Sequence, residues 1–577
     1  MTDRTWVHLL LLLSLATLFF LFGLGTLGLT DRDEGSNAEA AREMVESGDW
    51  VTPTLNGEPR FQKPVFIYWL MSAAYRLFGA SEFTARLPSA CFGVALVLLH
   101  YLFLSRARGP QVGLVGGLML LLNVEMLAIG RLALTDSVMI FFTTMSLYAF
   151  WLGLHGRRHF FWLFYLGAAL ATLTKGPVGP AVALLTVIPY LTLTRRWGQY
   201  WRSGFPLAGL ALFLCVAAPW YAVMLAIHGA RYTTSAQADT VGRFLHVIGG
   251  HGFSVLFYVP ILLFGFFPWS GFLPAALFQA AQQWRAVRQD EGSTLIQGDE
   301  RQGELEVFAA LWLAAGFLFF SVSATRLPHY IGPLYPAAAI LTACYWIRSL
   351  TDPATKGLRP SIHLVTVSGY LLGLALIALP TLYNVYVDMI SKEFPMAAQV
   401  DPGTGAVVAG TIVLIGTALF RYFGLSEERR PAAFWVGGAT IALVALVAIQ
   451  IVLPRFSRYF IGPPQELAYV AGVNLGPGDR LILYGPPKPS LMFYARRRAV
   501  LIKPGQEQDL LPHLAQPGRT MLLLPSRLKP KLPPEGAGLQ VILERFGYSL
   551  LANEPMVPGL PAVPPASRPV NPHGMGR

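Results

Sequence analysis

Charge is what this chain has least of. Acidic and basic side chains make up 13% of its 577 residues, against 54% apolar ones, which excludes an ordinary soluble domain, where the charged share is about a quarter. Cysteine is scarce too. Cys91, Cys215 and Cys344 all fall inside apolar runs, which excludes a disulfide framework and a cysteine metal motif and leaves them as packing residues. No convincing small-residue cleavage site follows the first apolar run, Trp6 to Leu29, so that run reads as a retained transmembrane helix rather than a removed signal peptide. No internal repeat or long low-complexity tract is present. The net charge of +12 could suggest nucleic acid, but the basic excess sits in short loops between apolar runs, where membrane orientation accounts for it. No nucleic-acid partner is expected.

What is there is a series of thirteen apolar runs, near 7–29, 88–104, 111–129, 134–154, 160–174, 178–194, 204–227, 253–270, 306–323, 331–348, 362–382, 405–423 and 432–453. A span needs about 20 such residues, so the expected fold is a polytopic α-helical membrane domain over 1–453 with about 13 transmembrane helices. With the N-terminus in the cytoplasm, the even-numbered runs end at Arg106/Arg108, Arg157/Arg158, Arg195/Arg196/Arg202, Arg285/Arg288, Arg348/Lys356 and Arg421/Arg429/Arg430. Every cytoplasmic turn is then basic, as orientation requires. Beyond Leu453 the composition shifts to Pro, Gly and charge. Strands are expected at Arg480 to Tyr484, Ala499 to Ile502, Thr520 to Leu524 and Leu539 to Leu543, with helices near 488–496 and 506–515. This makes a small α/β domain over 454–554, which an odd number of spans puts outside the cytoplasm. The proline-rich stretch 555–577 is expected to be disordered.

The outer face carries few basic residues: Arg131, Lys175, Arg231, Arg243 and Arg326, besides those of the long first loop, 30–87. Cations on the side that topology disfavours need another reason, and anion binding is the leading one. That loop holds a helical pattern from Ala38 to Ser47, stopped by Gly48, and an apolar one from Val65 to Phe78, which reads as two helices lying along the membrane. Directly after the first run come Asp31, Asp33 and Glu34. They can be a solvated helix end with an N-cap, or can supply a general base or an acceptor-orienting carboxylate beside the lipid surface. Asp136 begins another apolar run on the same face, where it is either a cap or a site residue. Lys63 precedes a proline, and Lys175 lies in a Gly- and Pro-rich break. With Arg243 and Arg326 they form a candidate phosphate cradle, to which Tyr330 could donate. A lysine at a membrane edge by itself more often just snorkels. His246, His251 and His329 lack the spacing of a helical ligand pair, and no metal site is expected from them.

The order of these residues resembles a known family. Asp33-Glu34 is followed by Ala41-Arg42-Glu43-Met44, Ser47-Gly48-Asp49-Trp50, Lys63-Pro64, Tyr68-Trp69 and Leu134-Thr135-Asp136. Then come Thr174-Lys175-Gly176-Pro177, Gly242-Arg243-Phe244, Phe267-Pro268-Trp269 and the stretch Arg326 to Tyr330. The set is similar to the polytopic GT-C glycosyltransferases related to protein O-mannosyltransferases (glycosyltransferase family 39), and among them to the bacterial aminoarabinose transferases that modify lipid A. The resemblance implies a GT-C fold in a bacterial inner membrane. It also implies inverting transfer of a sugar from a polyprenyl-phosphate donor to a lipid, protein or glycan acceptor on the outer face, among membrane lipids. Asp33 would activate or orient the acceptor, and Asp136 would be a second essential acid. Lys63 and Arg243 would hold the carrier phosphate, with Tyr330 nearby. The lipid A branch commonly has Asp-Glu-Thr-Arg-Tyr where this chain has Asp33-Glu34-Gly35-Ser36-Asn37, and Glu where it has Gln62. A His-Glu-His-Phe-x-Arg segment is replaced by Ala238 to Arg243. The usual ligands of a zinc-like site are thereby replaced, at Gln62 and Ala238, so no metal cofactor is required although a divalent metal stays possible, and aminoarabinose as the sugar is not called for.

Two other classes compete. A transporter or flippase of a lipid-linked sugar would also put ionisable groups into a membrane domain, but near the bilayer midplane and at repeated broken helices, whereas these candidates cluster on one face. A scaffold working through the C-terminal domain has no sequence feature for or against it.

Overall fold

All thirteen apolar runs contain helix in the computed structural model, which describes residues 3–247, 252, 254–289, 300–352 and 355–555. His251 and the tail from 556 onward fall outside them. Among the described residues, eight helices are long and apolar enough to cross a membrane singly, and two bent pairs raise the number to ten if each pair is one span. The N-terminal third, which builds the site, runs through α1 (Asp3–Leu21), α2 (Asp33–Ser47), α3 (Phe66–Phe78), α4 (Glu82–Arg108), α5 (Pro110–Leu121), α6 (Val124–Ile129), α7 (Asp136–Leu154) and α8 (Phe161–Lys175). The apolar run 111–129 is therefore two helices, and Asn123 divides them. Its amide donates to the Met119 and Leu120 carbonyls at the end of α5, while its oxygen accepts the Met126 N–H that opens α6.

The two helices of the long first loop, 30–87, differ. α3 buries Ile67, Tyr68, Met71 and Tyr75 on one side and leaves Leu77 and Phe78 74% and 64% exposed, the pattern of a helix lying in a membrane interface. α2 does not lie on a surface. Residues Glu34 to Met44 are all buried, although they include Glu34, Asn37, Glu39, Arg42 and Glu43. Burying so much polarity requires partners, and each has them: Arg42 pairs with Glu39, Glu43 accepts from Thr54 and the Gly57 N–H, and Asn37 donates to the Ala133 carbonyl. Gly48, at φ 73°, closes the helix in the left-handed conformation that suits glycine, with its N–H on the Met44 carbonyl.

The composition change at Leu453 marks no break in the backbone. Arg430–Asn474 is one helical passage, with π segments at Ala448–Val452 and Ser457–Ile461, and its last part, Gly462–Asn474, packs on the C-terminal sheet. The strands among the described residues are β1 (Thr54–Leu55) and β2 (Glu58–Pro59) in the long first loop, then β3 (Arg480–Tyr484), β4 (Val500–Ile502), β5 (Thr520–Pro525), β6 (Gln540–Arg545) and β7 (Tyr548–Ala552). The larger sheet has the order β4-β3-β5-β7-β6, parallel among its first three strands and antiparallel thereafter. Two apolar clusters cover its faces, Leu467, Leu481 and Leu523 on one and Ile482, Leu522 and Leu551 on the other. Four strands match the sequence expectation. β7 does not appear in it, because a short strand following the two-residue turn Phe546-Gly547 (φ 40° and 78°) leaves little periodicity to read.

Candidate active site

A cavity of about 300 Å³ opens between the residues leading into α3, the end of α8 and the helix Pro206–Gln237. Phe61, Val178, Phe319 and Phe320 make its apolar wall, and Lys63, Lys175, Arg243 and Tyr330 converge on it. Sequence positions spread over more than half the membrane domain thus share one chamber. Arg326, expected in the same cradle, does not line it. Its guanidinium is buried and donates to the Ser321 carbonyl from Nε (3.1 Å) and Nη2 (2.8 Å), which fixes the loop that presents His329 and Tyr330.

The three lining cations are held differently. Lys175 Nζ lies 2.5 Å from Asp136 Oδ1 and 4.8 Å from the centre of the Tyr330 ring. Asp136 is therefore a partner of Lys175 rather than a cap, and the residue at the cap position, Thr135, makes no capping bond. Arg243 Nε lies 2.9 Å from Asp239 Oδ1. Burial alone would lower the Arg243 pKa, but Asp239 and the Tyr330 hydroxyl raise it, so the guanidinium is a fixed charge. Lys63 has no carboxylate within salt-bridge distance among the described residues. Burial above all lowers its pKa from 10.5 to about 8, with Lys175 and Arg243 adding to the effect and Asp33 and Asp136 opposing it. The same electrostatics put Asp33 and Asp136 near the cradle.

Asp33 is the first residue of α2, and Arg32 before it sits at φ 73°, a strained conformation for a side chain other than glycine. Asp33 is half-buried, while Glu34 is buried and fully engaged. Glu34 Oε1 accepts from Arg86 Nε (2.7 Å) and the Ala133 N–H (2.9 Å), and Oε2 from Arg86 Nη2 (2.9 Å), the Thr30 N–H (2.8 Å) and the Thr30 hydroxyl (2.9 Å). Burial would raise the Glu34 pKa, but Arg86 overrides it and holds the group ionised. With its acceptor positions engaged, Glu34 anchors the start of α2 to Arg86 and the Ala133 N–H. Arg86 also donates to the carbonyls of Leu24, Leu27 and Gly28, so one guanidinium ties the exit of α1 to the start of α2. Sequence reasoning passed over Arg86; the signal was a lone arginine just ahead of the apolar run at 88–104. Asp31 points elsewhere, to the Ser490 N–H (3.1 Å) and Lys488 (3.7 Å) of the C-terminal unit.

Two positions bear on a divalent metal, Gln62 and Ala238. Gln62 lines the cavity and Ala238 has no donor, and no group of three or more His, Cys, Asp or Glu could hold an ion among the described residues.

With this geometry, residues 9–233 match the family model described as dolichyl-phosphate-mannose-protein mannosyltransferase. The whole architecture aligns with the structure of ArnT from Cupriavidus metallidurans bound to undecaprenyl phosphate, covering 96% of this chain and 99% of that one at a TM-score of 0.76 and 23% identity. The chain shares the fold of that structure. It is 29% identical over 453 residues to the undecaprenyl phosphate-alpha-4-amino-4-deoxy-L-arabinose arabinosyl transferase of Edwardsiella ictaluri, covering 77% of this chain and 76% of that protein. The transferase of the same description from Pseudomonas paraeruginosa is 28% identical over 460 residues, 78% and 76% of the two chains. The shared fold and the apolar helices make the chain a polytopic membrane protein.

Proposed function

We propose that this chain is a GT-C glycosyltransferase that moves a sugar from a polyprenyl phosphate to an acceptor at the outer face of a bacterial inner membrane, with the C-terminal unit on that side. The observation that carries the reading is the meeting of Lys63, Lys175, Arg243 and Tyr330 in one apolar-walled cavity next to Asp33. Apolar walls suit an isoprenoid chain, and convergent cations suit its phosphate. An acceptor oxygen or nitrogen attacks the anomeric carbon as the bond to the phosphate oxygen breaks, with inversion. The electron pair leaves with the carrier, whose phosphate gains one negative charge, and the cations stabilise that charge as it develops. Asp33 takes the acceptor's proton or orients the acceptor. Asp136 holds the Lys175 ammonium in place.

The orientation is supported by the opposite end of the bundle. There Arg108 and Arg348 gather on Glu306, and Arg196 and His155 on Glu304, and these basic residues are the ones that the positive-inside rule keeps in the cytoplasm. The acceptor is a lipid, protein or glycan nucleophile. The test is to incubate protein in lipid nanodiscs with radiolabelled polyprenyl-phosphate sugars and membrane acceptors. Label should move to an acceptor with wild type and stay on the carrier with Asp33→Asn. Label that stays on every carrier offered to wild type contradicts the reading.

A further inference from the structure

The segment 28–35, which delivers Asp33 to the cavity, is held from two sides. From within the membrane domain it is held by Arg86 and Glu34. The second holder is the C-terminal unit, more than 400 residues away in sequence. Ser457 Oγ accepts the Gly28 N–H (3.0 Å), and Gln465 Nε2 donates to the Leu29 carbonyl (2.7 Å). Tyr494 Oη accepts the Leu29 N–H (3.0 Å) and donates to Glu82 at the start of α4 (2.9 Å). The Ser490 N–H donates to Asp31 Oδ1 (3.1 Å), with Lys488 3.7 Å from the other oxygen. A Cβ on Gly35 would come within 2.7 Å of the Ser490 nitrogen, so the two backbones touch. These bonds end two residues before Asp33, and the residue between is the strained Arg32.

Buried backbone groups need partners. The N–H groups of Gly28 and Leu29 and the Leu29 carbonyl find theirs on side chains of the C-terminal unit, so this segment of the active-site loop is completed by a distant part of the fold. We propose that the C-terminal unit is a positioning element of the transfer site, with Asp31, Gln465 and Tyr494 as positioning residues that set where Asp33 stands. The cations that hold the phosphate lie on other segments: Lys63 leads into α3, Lys175 ends α8, and Arg243 follows the helix Pro206–Gln237. Loosening the clamp should therefore misplace Asp33 and leave phosphate binding intact. A displacement of about 1 Å at a reacting group costs on the order of 100-fold in rate.

The inference rests on the proposed transfer reaction, and the experiment separates the two. The probes are hydrogen–deuterium exchange over residues 28–36, undecaprenyl phosphate affinity, and kcat for release of undecaprenyl phosphate from a lipid-linked sugar donor, all on full-length protein in nanodiscs. Asp31→Ala and Tyr494→Phe should speed exchange in 28–36 and lower kcat by about 10- to 100-fold, with phosphate affinity unchanged. Asp31→Asn keeps an acceptor for the Ser490 N–H and should restore most of kcat. Wild-type exchange and kcat in Asp31→Ala and Tyr494→Phe overturn the inference, as does a parallel loss of kcat and phosphate affinity in both, which marks general destabilisation. Should wild type turn over no donor, the functional reading fails, and the exchange rate alone decides whether the C-terminal unit holds this segment.

Discussion

An ammonium whose pKa is lowered to about 8 beside a phosphate site loses its charge within ordinary alkaline buffers. Carrier affinity should accordingly weaken as pH rises through about 8, and titration of binding against pH should lose that step in Lys63→Met. Stability moves the other way. Between about 8 and 10.5 the unfolded chain holds the Lys63 proton and the native one does not, so the Lys63 contribution to unfolding free energy increases with pH across that window. Thermal unfolding of wild type and Lys63→Met should diverge there. Arg86 calls for a different prediction. Its side chain and that of Glu34 are each 1% exposed, and removing one partner strands the other charge. Arg86→Ala should cost about 3–5 kcal/mol, read as a lowered melting temperature in detergent. Both residues bear on what a sequence shows. Lys63, Lys175 and Arg243 could be found because orientation disfavours cations on that face. Asp33 and Glu34, adjacent carboxylates, could not be told apart, because what distinguishes them is Arg86, 52 residues beyond Glu34, and which partner a charge meets is a property of the fold.

Among elements, α2 tests the account best. It reads as a polar surface helix, yet it is buried between the membrane domain and the C-terminal unit, so its stability comes from specific polar partners and close backbone contact. Gly35 marks the contact, since a methyl group there meets Ser490 backbone that cannot swing aside. Gly35→Ala should destabilise by about 1–3 kcal/mol, and circular dichroism melting in nanodiscs checks it. Helices were legible wherever an apolar run marked them. Their breaks were not, because Asn123 interrupts apolar periodicity by a single residue, and the two-residue Asn56-Gly57 turn between β1 and β2 gains meaning when Asn56 pairs twice with Ala499 of the C-terminal unit.

At the scale of the whole molecule, composition was enough to show a membrane bundle followed by an α/β unit, since hydropathy and period are local properties. Composition could not show that helix Arg430–Asn474 joins them without a linker, or that the second unit grips the active-site loop of the first, because those contacts join residues hundreds of positions apart. The division of labour between the cation cradle and Asp33 is the central claim. The most direct measurement of it is undecaprenyl phosphate affinity and sugar transfer, determined in parallel for wild type, Lys63→Ala and Asp33→Asn in nanodiscs. Lys63→Ala should bind the phosphate about 10- to 100-fold more weakly, while Asp33→Asn should bind as wild type does and transfer no sugar. Unchanged affinity in Lys63→Ala, or transfer by Asp33→Asn at the wild-type rate, would contradict the account.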